Sequence, residues 1–416
     1  MRVPDRLRVL VSKKLLDLAE ALPRFRKGAL ARLQLTREHQ RKSAQRTYER
    51  TRPPEGTELK LLYFRLIEVF HIEHRNRLRK RMLRAFPELQ KRPRSGGQNF
   101  LDWFDNRSGR LGSISSWRLG HIVHKDRRLH LDRARWERGN LPVEIDFIVV
   151  WLHAILPSLF ALSFDVHLND SVTRQLNSLQ DRHYLPEARI HGLAPLGILY
   201  LGFSQIPPAR VMRRELLAWL DRLRAKSEES LRPLTDGFFA GLSSGQVAKL
   251  PAIETYVLAG APDRIEPLGS WIRNHIHWWD SLGFRHFERE IYTDGKVMFI
   301  PSSSRESEPQ VANRLVVLRE PYRRSMELSE SGYEDQQVAY WTRLATLDAL
   351  LPFIAVEEVL ASSQGSIEQL RFRLFRSLKT GWPPDVSLWQ HIGLGKRILR
   401  SSMQLSRIST EFEQNK

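Results

Sequence analysis

The sequence predicts a mainly α protein of the α+β type: a helical two-part chain with one small antiparallel β-hairpin or sheet near residues 288–320. Three observations carry that expectation. Apolar residues recur at helical spacing in several long segments. Strand signals concentrate around a single Asp-Gly turn. A change in charge near residue 140 separates a basic helical region (1–140) from a neutral, mostly helical body (141–416) that holds the hairpin. The chain has 416 residues, 41% of them hydrophobic and 27% charged, which suffices for a sizeable core and excludes a wholly disordered or fibrous chain. No internal repeat is visible.

The elements follow in order. Leu7, Val9, Leu10, Leu15, Leu16 and Leu18 form an approximate helical stripe over residues 6–22 that Pro23 stops. Residues 36–50 are polar on every face, with Arg37, Arg41, Lys42, Arg46 and Arg50, which predicts a solvated basic helix or an extended arm. After the break at 51–56 (TRPPEG), Thr57 reads as the N-cap of a long helix that Pro87 closes. Its apolar row is Leu59, Leu62, Leu66, Val69 and Phe70, continued by Leu78, Met82 and Phe86. Residues 91–97 (KRPRSGG) form a basic linker.

Two uncharged stretches bear on membranes. Residues 147–164 lie between Asp146 and Asp165; at 18 residues, with His153 and Pro157 inside, they are expected to be a buried core helix. Residues 190–209 are broken by Gly192, Pro195, Gly197, Gly202, Pro207 and Pro208, so no span is expected there either. Helices are predicted at 169–181 and at 208–231, the latter on the row Met212, Leu216, Leu220 and Leu223. Residues 290–300 (EIYTDGKVMFI) form the hairpin, 301–310 a polar loop and 315–318 a third strand. Helical patterning returns from Gly332.

The chain has no cysteine, which removes disulfide scaffolds, thiol catalysis, Fe–S clusters and Cys-based zinc sites. The first residues scatter charges, and Asp5, Asp17 and Glu20 arrive early, so neither a secretory signal nor a transit peptide is expected. The expected location is intracellular: cytoplasmic, with association to the nucleoid as one form of it.

The formal net charge is +19, and it is unevenly spread. Residues 1–140 hold 35 Lys and Arg against 15 Asp and Glu, or +20, whereas the remaining 31 and 32 leave the body at −1. Such asymmetry points to a basic region aimed at a polyanion. Arg75, Arg77, Arg79, Lys80, Arg81 and Arg84 are expected to contact phosphates, with Arg127, Arg128, Arg133 and Arg135 as a second group. Trp103, Trp117 and Trp136 are candidates to stack on bases, although each also suits a core. No DNA- or RNA-reading signature is present, so the sequence carries no argument for or against sequence specificity.

Other constellations carry less. Glu68, His71 and His74 would share one face of the predicted helix, but a bundle metal site needs a second such unit. His121 and His124, near Asp126, His130 and Asp132, lie among arginines and suit phosphate contact better than a metal. His275, His277 and His286 surround Asp280, Glu288 and Glu290; Asp280 with Asp294 and Lys296 loosely resembles the Asp…(Asp/Glu)-x-Lys spacing of metal-dependent nucleases. That motif needs its carboxylate and lysine within a strand, whereas Asp294-Gly295 reads as a turn. Residues 241–245 (GLSSG) fit the letters of a nucleophile elbow, with Asp263 downstream, but no strand precedes them. There is no P-loop and no G-x-G-x-x-G.

The expected function is therefore non-catalytic binding of nucleic acid, DNA or RNA, as a component of a larger nucleoprotein assembly. No metal and no cofactor is expected. The alternatives are a metal-dependent nuclease built on Asp280, Asp294 and Lys296, and an adaptor docking on an acidic protein partner.

Overall fold

The structure, a computed structural model, describes residues 5–22, 29–90, 99–107, 114–124, 135–138, 141–191, 202–235, 250–262, 265–284, 292–293, 297–300 and 313–321, with isolated positions beyond. Helices α1 (Asp5–Ala21) and α2 (Ala29–Thr51) come first, followed by strand β1 (Glu58–His71). A 3₁₀ turn leads into α3 (Arg75–Ala85), and α4 (Phe100–Arg107) precedes β2 (Ser115–His124) and β3 (Arg135–Arg138). Next come β4 (Ile145–Leu156), β5 (Leu159–Leu168), α5 (Asp170–Gln180), β6 (Glu187–His191), β7 (Gly202–Ile206) and α6 (Pro208–Thr235). The remaining described elements are β8 (Ala252–Ala259), α7 (Ile265–Asn274), α8 (Ile276–Ser281), β9 (Tyr292–Thr293), β10 (Val297–Ile300) and β11 (Asn313–Leu318).

These elements make an α/β fold on a mixed sheet, not a mainly helical protein with one hairpin. Two segments account for the difference. The predicted helix over 57–86 is strand β1 for its first half and α3 for its second. Every residue from Leu61 to Phe70 is buried, so the strand is covered on both faces and loses the alternation that marks a half-exposed strand. A helical row can be picked out of any such continuous apolar run. Tyr63, Phe64, Ile67, Val69 and Phe70, aromatic or β-branched, favour the extended state. The expected core helix over 147–164 is the hairpin of β4 and β5. Leu156 pairs with Leu159, and Pro157-Ser158 is a two-residue turn rather than a helix interruption.

The chain divides into two units, each drawn from three stretches: 1–60, 170–222 and 256–327 in the first, and 61–169, 223–255 and 328–416 in the second. Residue 140, where the charge changes, lies inside the second.

In the second unit the strand order is β3-β2-β4-β5-β1-β8. The pairs β2–β4, β4–β5 and β5–β1 are antiparallel, and β2–β3 is parallel. One face of β2, β4, β5 and β1 is apolar except for the buried Glu68: Phe70 stacks on Phe160 at 5.7 Å, and Phe104 of α4 meets Phe160 at 5.5 Å. The first unit holds the helical hairpin of α1 and α2, in which Leu16, Ala19 and Leu33 form a small core. Arg37 bonds Asp17 at 2.6 Å and Glu20 at 3.1 Å. So α2, polar in sequence, still buries Ala31, Leu33, Gln40 and Ala44.

The order in the first unit is β8-β11-β10-β9, and the pairing of β9 with β10 includes the expected hairpin. Helix α6 buries Met212, Leu216, Leu220 and Leu223. Trp278 and Trp279 of α8 are fully buried, the former donating to Gln180 at 3.0 Å. Gly260 ends β8 at φ +76, and a side chain there would collide with the Gly56 carbonyl. The expected loop at 301–310 and most of the helical stretch after 332 lie outside the described residues. Among the described residues no helix is long and apolar enough to cross a membrane.

Candidate nucleic-acid interface

Helix α3 concentrates charge: Arg75, Arg77, Arg79, Lys80, Arg81 and Arg84 fall within 11 residues that include no acid. Leu78 and Met82, one turn apart and fully buried, seat the helix. The side opposite them, at 100° per residue, carries Arg77, Lys80 and Arg84, all exposed, with exposed Asn76 beside them. Arg77 and Arg84 are two turns apart, so the row runs about 10 Å at 1.5 Å per residue.

The other cations are held differently. Asp105 of α4 takes Arg75 in a short ion pair and stands 3.6 Å from Arg79. The Arg75 guanidinium also lies over the Phe104 ring, 5.5 Å from its centre. Arg75 is in the first helical turn, where the helix dipole disfavours a cation, and the Asp105 carboxylate offsets that. Arg84 is in the last turn, where the same dipole favours it. Arg81 is half-buried. The six cations thus divide by exposure: Arg77, Lys80 and Arg84 are exposed, and Arg75, Arg79 and Arg81 are half-buried.

Of the three candidate tryptophans, Trp103 and Trp117 pack against other rings. Trp103 is buried and donates from Nε1 to Ser115 at 2.9 Å. Trp117 is half-buried on β2, 5.6 Å from Trp103 and 6.0 Å from Phe100. Both belong to the packing between α4 and the sheet. Arg135 and Trp136 lie on β3, paired with His121 and Ile122, but their side chains are not among those described. Arg127, Arg128 and Arg133 lie outside the described residues altogether.

The histidine groupings separate because their segments are strands. Glu68 and His71, three apart on β1, point to opposite faces, as do His121 and His124 on β2. His121 contacts Arg118, whereas His124 Nε2 meets the Ile145 carbonyl at 3.1 Å. Among the described residues no group of three or more His, Asp and Glu could hold a metal ion. Asp280 of α8 is ion-paired with Arg213 at 2.9 Å, while Asp294, Lys296, Glu288, Glu290, Asp126, His130, Asp132 and residues 241–245 fall outside the described residues.

A second polar grouping has no counterpart among the sequence motifs: it lines the other face of β2, β4, β5 and β1. Arg65 and Asp165, direct cross-strand partners, make a two-point ion pair, Nε to Oδ1 at 2.6 Å and the second nitrogen to Oδ2 at 2.9 Å. His153 is held between two hydroxyls, Ser116 Oγ at Nδ1 and Ser163 Oγ at Nε2, each at 2.7 Å. A neutral imidazole has one N–H, so one hydroxyl donates to the ring and the other accepts from it. His167 stacks between Phe147 at 4.4 Å and Tyr63 at 5.3 Å. Burial drives its pKa down to about 4, against the raising effect of Asp165 and Asp146, and leaves it neutral near pH 7.

In the first unit, Tyr48, Arg182, Tyr184 and Met212 line a small depression. Burial first, then Glu215, pushes the Tyr184 hydroxyl up to about 12, so it does not exchange protons near neutrality.

Set beside family models, curated proteins and solved structures, the chain matches none of them.

Proposed function

We propose that this protein binds nucleic acid without catalysing a reaction on it, through helix α3, as a component of a larger nucleoprotein assembly. One observation carries the reading: Arg77, Lys80 and Arg84 form an outward row on a helix whose inner side is seated by Leu78 and Met82. A polyphosphate gains affinity from such a row by releasing condensed counterions, one for each phosphate neutralised. The excess of 35 cations over 15 acids in residues 1–140 supports the same reading by favouring encounter with any polyanion.

Salt dependence tests it. Fluorescence anisotropy with a labelled 20-base-pair duplex between 50 and 200 mM NaCl should show affinity falling steeply with salt. The triple variant Arg77→Ala, Lys80→Ala, Arg84→Ala should reduce the log–log slope by about 2 to 3, near 0.9 for each phosphate no longer neutralised. Alanine suits exposed helix positions, so the variant should keep its fold, read as an unchanged circular dichroism spectrum and melting point. Binding that does not weaken with salt, or a slope unchanged in the triple variant, overturns the assignment to α3.

A further inference from the structure

Resting on that reading, we propose that α3 enters the major groove of duplex DNA and reads base edges there. Asn76 reads an adenine and Arg77 a guanine, while Lys80 and Arg84 hold phosphates. Binding through α3 thereby becomes selective for sequence.

The exposed side of the helix supplies the geometry. At 100° per residue, Asn76, Arg77, Lys80 and Arg84 share one side, opposite the buried Leu78 and Met82, and all four are exposed. Asn76 and Arg77 stand in the first turn, Lys80 one turn on and Arg84 two turns on. Recognition helices use this order: residues near the N-terminal end meet base edges, and cations elsewhere take phosphate oxygens that fix the register. The major groove is about 12 Å wide, which admits a helix of about 10–12 Å with its side chains.

The residue types supply the chemistry. An Asn amide makes a two-point bond to N6 and N7 of adenine, and the Arg fork does the same with O6 and N7 of guanine. Adjacent on the helix, the two side chains reach neighbouring base pairs. Lysine offers a point charge, which suits a phosphate oxygen.

Asn76 does not serve the helix it sits in. Asn is among the poorer helix formers, because its amide competes for nearby backbone groups. Here it gains no such bond: among the described residues the Asn76 amide has no hydrogen-bond partner. Its neighbour Arg75 does serve the fold, since Asp105 takes it in an ion pair and its guanidinium lies over the Phe104 ring. Arg75 is therefore a positioning residue that holds α3 against α4, and the exposed Asn76 and Arg77 face the groove.

The experiment selects on the full chain, at 100 mM NaCl, from a DNA duplex pool with a random central segment, and measures the enriched sequence by fluorescence anisotropy. The enriched duplex should hold an adenine and a guanine in neighbouring base pairs and bind about tenfold or more tighter than a scrambled one. Replacing the adenine pair should weaken the natural chain by about fivefold or more and leave Asn76→Ala unaffected. Replacing the guanine pair should separate the natural chain from Arg77→Ala in the same way. Lys80→Ala should weaken every sequence alike. Alanine suits these exposed helix positions, so the melting points should hold. An RNA duplex of the enriched sequence should bind less well than the DNA, because its major groove is too narrow for side chains to read. This inference is overturned by a scrambled duplex bound as tightly as the enriched one, by either variant keeping the natural preference, or by the RNA matching the DNA. Nucleic-acid binding then still stands if affinity falls steeply with salt. No binding to any duplex overturns both.

Discussion

The two faces of the strands β2, β4, β5 and β1 differ in chemistry: one is apolar apart from Glu68, and the other sets ion-paired and hydrogen-bonded groups among apolar residues such as Ile67 and Val69. One carries Phe64, Leu66, Phe160, Leu162, Phe164, Val166, Ile148, Val150 and Leu152, whose exposures are all 1% or less. The other carries Arg65, Asp165, His153 and Ser163, at 3% or less, in the same register positions one residue along. The apolar face is held by contact area and tolerates changes that keep volume. The polar face is held by partners: Arg65 pairs with Asp165, and His153 lies between Ser116 and Ser163. Its energy therefore depends on pairs, and removal of one member should cost more than its own size suggests.

Asp165→Ala is the strongest way to break that contrast. It strips the carboxylate from a guanidinium that is 0% exposed and leaves a buried charge without its counter-ion, which costs about 3–5 kcal/mol. Urea unfolding should show it as a lowered midpoint. The double variant Arg65→Met, Asp165→Leu replaces both partners with apolar side chains and should recover most of the loss. If the double variant is no more stable than Asp165→Ala, the pair is not the unit that matters and the polar face is not organised by partners.

The same contrast explains what was legible in the sequence. Helices with one solvated side were visible: α1, α5 and α6 each show a stripe because water leaves the other side polar. The pairing of β9 with β10 was legible because the residues between them carry turn chemistry, which is local. Strands β1, β4 and β5 were not visible as strands, since burial on both faces removes the period of two. His153 and Ser163 sat inside a stretch distinguished only by its lack of charge. Asp165 looked like the boundary of that stretch, although it is an internal strand residue. Its partner, Arg65, lies 100 residues earlier, and no local pattern joins them. For α3 the charge was legible, but the division of six cations into three exposed and three half-buried was not. That division depends on Asp105, which reaches Arg75 only once α4 is folded.

His167 sharpens the comparison through pH. Its pKa is lowered to about 4, first by burial, while the unfolded chain keeps the ordinary value of 6.5. The unfolded state therefore binds the proton more readily, so the contribution is full above about pH 6.5 and is lost as pH falls through 4. The loss should be on the order of 2 kcal/mol. Carboxylates titrate over part of the same range, so the measurement is a difference: unfolding free energy at pH 7 minus that at pH 4.5, in the natural chain and in His167→Phe. Phenylalanine keeps a ring between Phe147 and Tyr63 but has no proton to bind, and should show the smaller pH dependence. Equal pH dependence in the two chains would mean that His167 is not the titrating group.

Ser163→Ala probes the smallest piece of the polar face. Alanine sits in the same pleat with no added volume, and Ser163 is 0% exposed, so the change isolates one hydroxyl. That hydroxyl stands 2.7 Å from His153 Nε2, and its removal withdraws one of the two hydroxyls that flank the ring. The expected cost is about 1 kcal/mol, the net worth of an internal hydrogen bond, read as a shift in the urea midpoint. Ser163→Thr retains a hydroxyl at the cost of a methyl group in a packed site, and separates the bond from the packing. If Ser163→Ala costs about 1 kcal/mol and Ser163→Thr costs more, packing limits even this face, and the two faces differ less in kind than their residues suggest. If Ser163→Thr is the milder change, the hydroxyl outweighs the fit, as a face organised by partners requires.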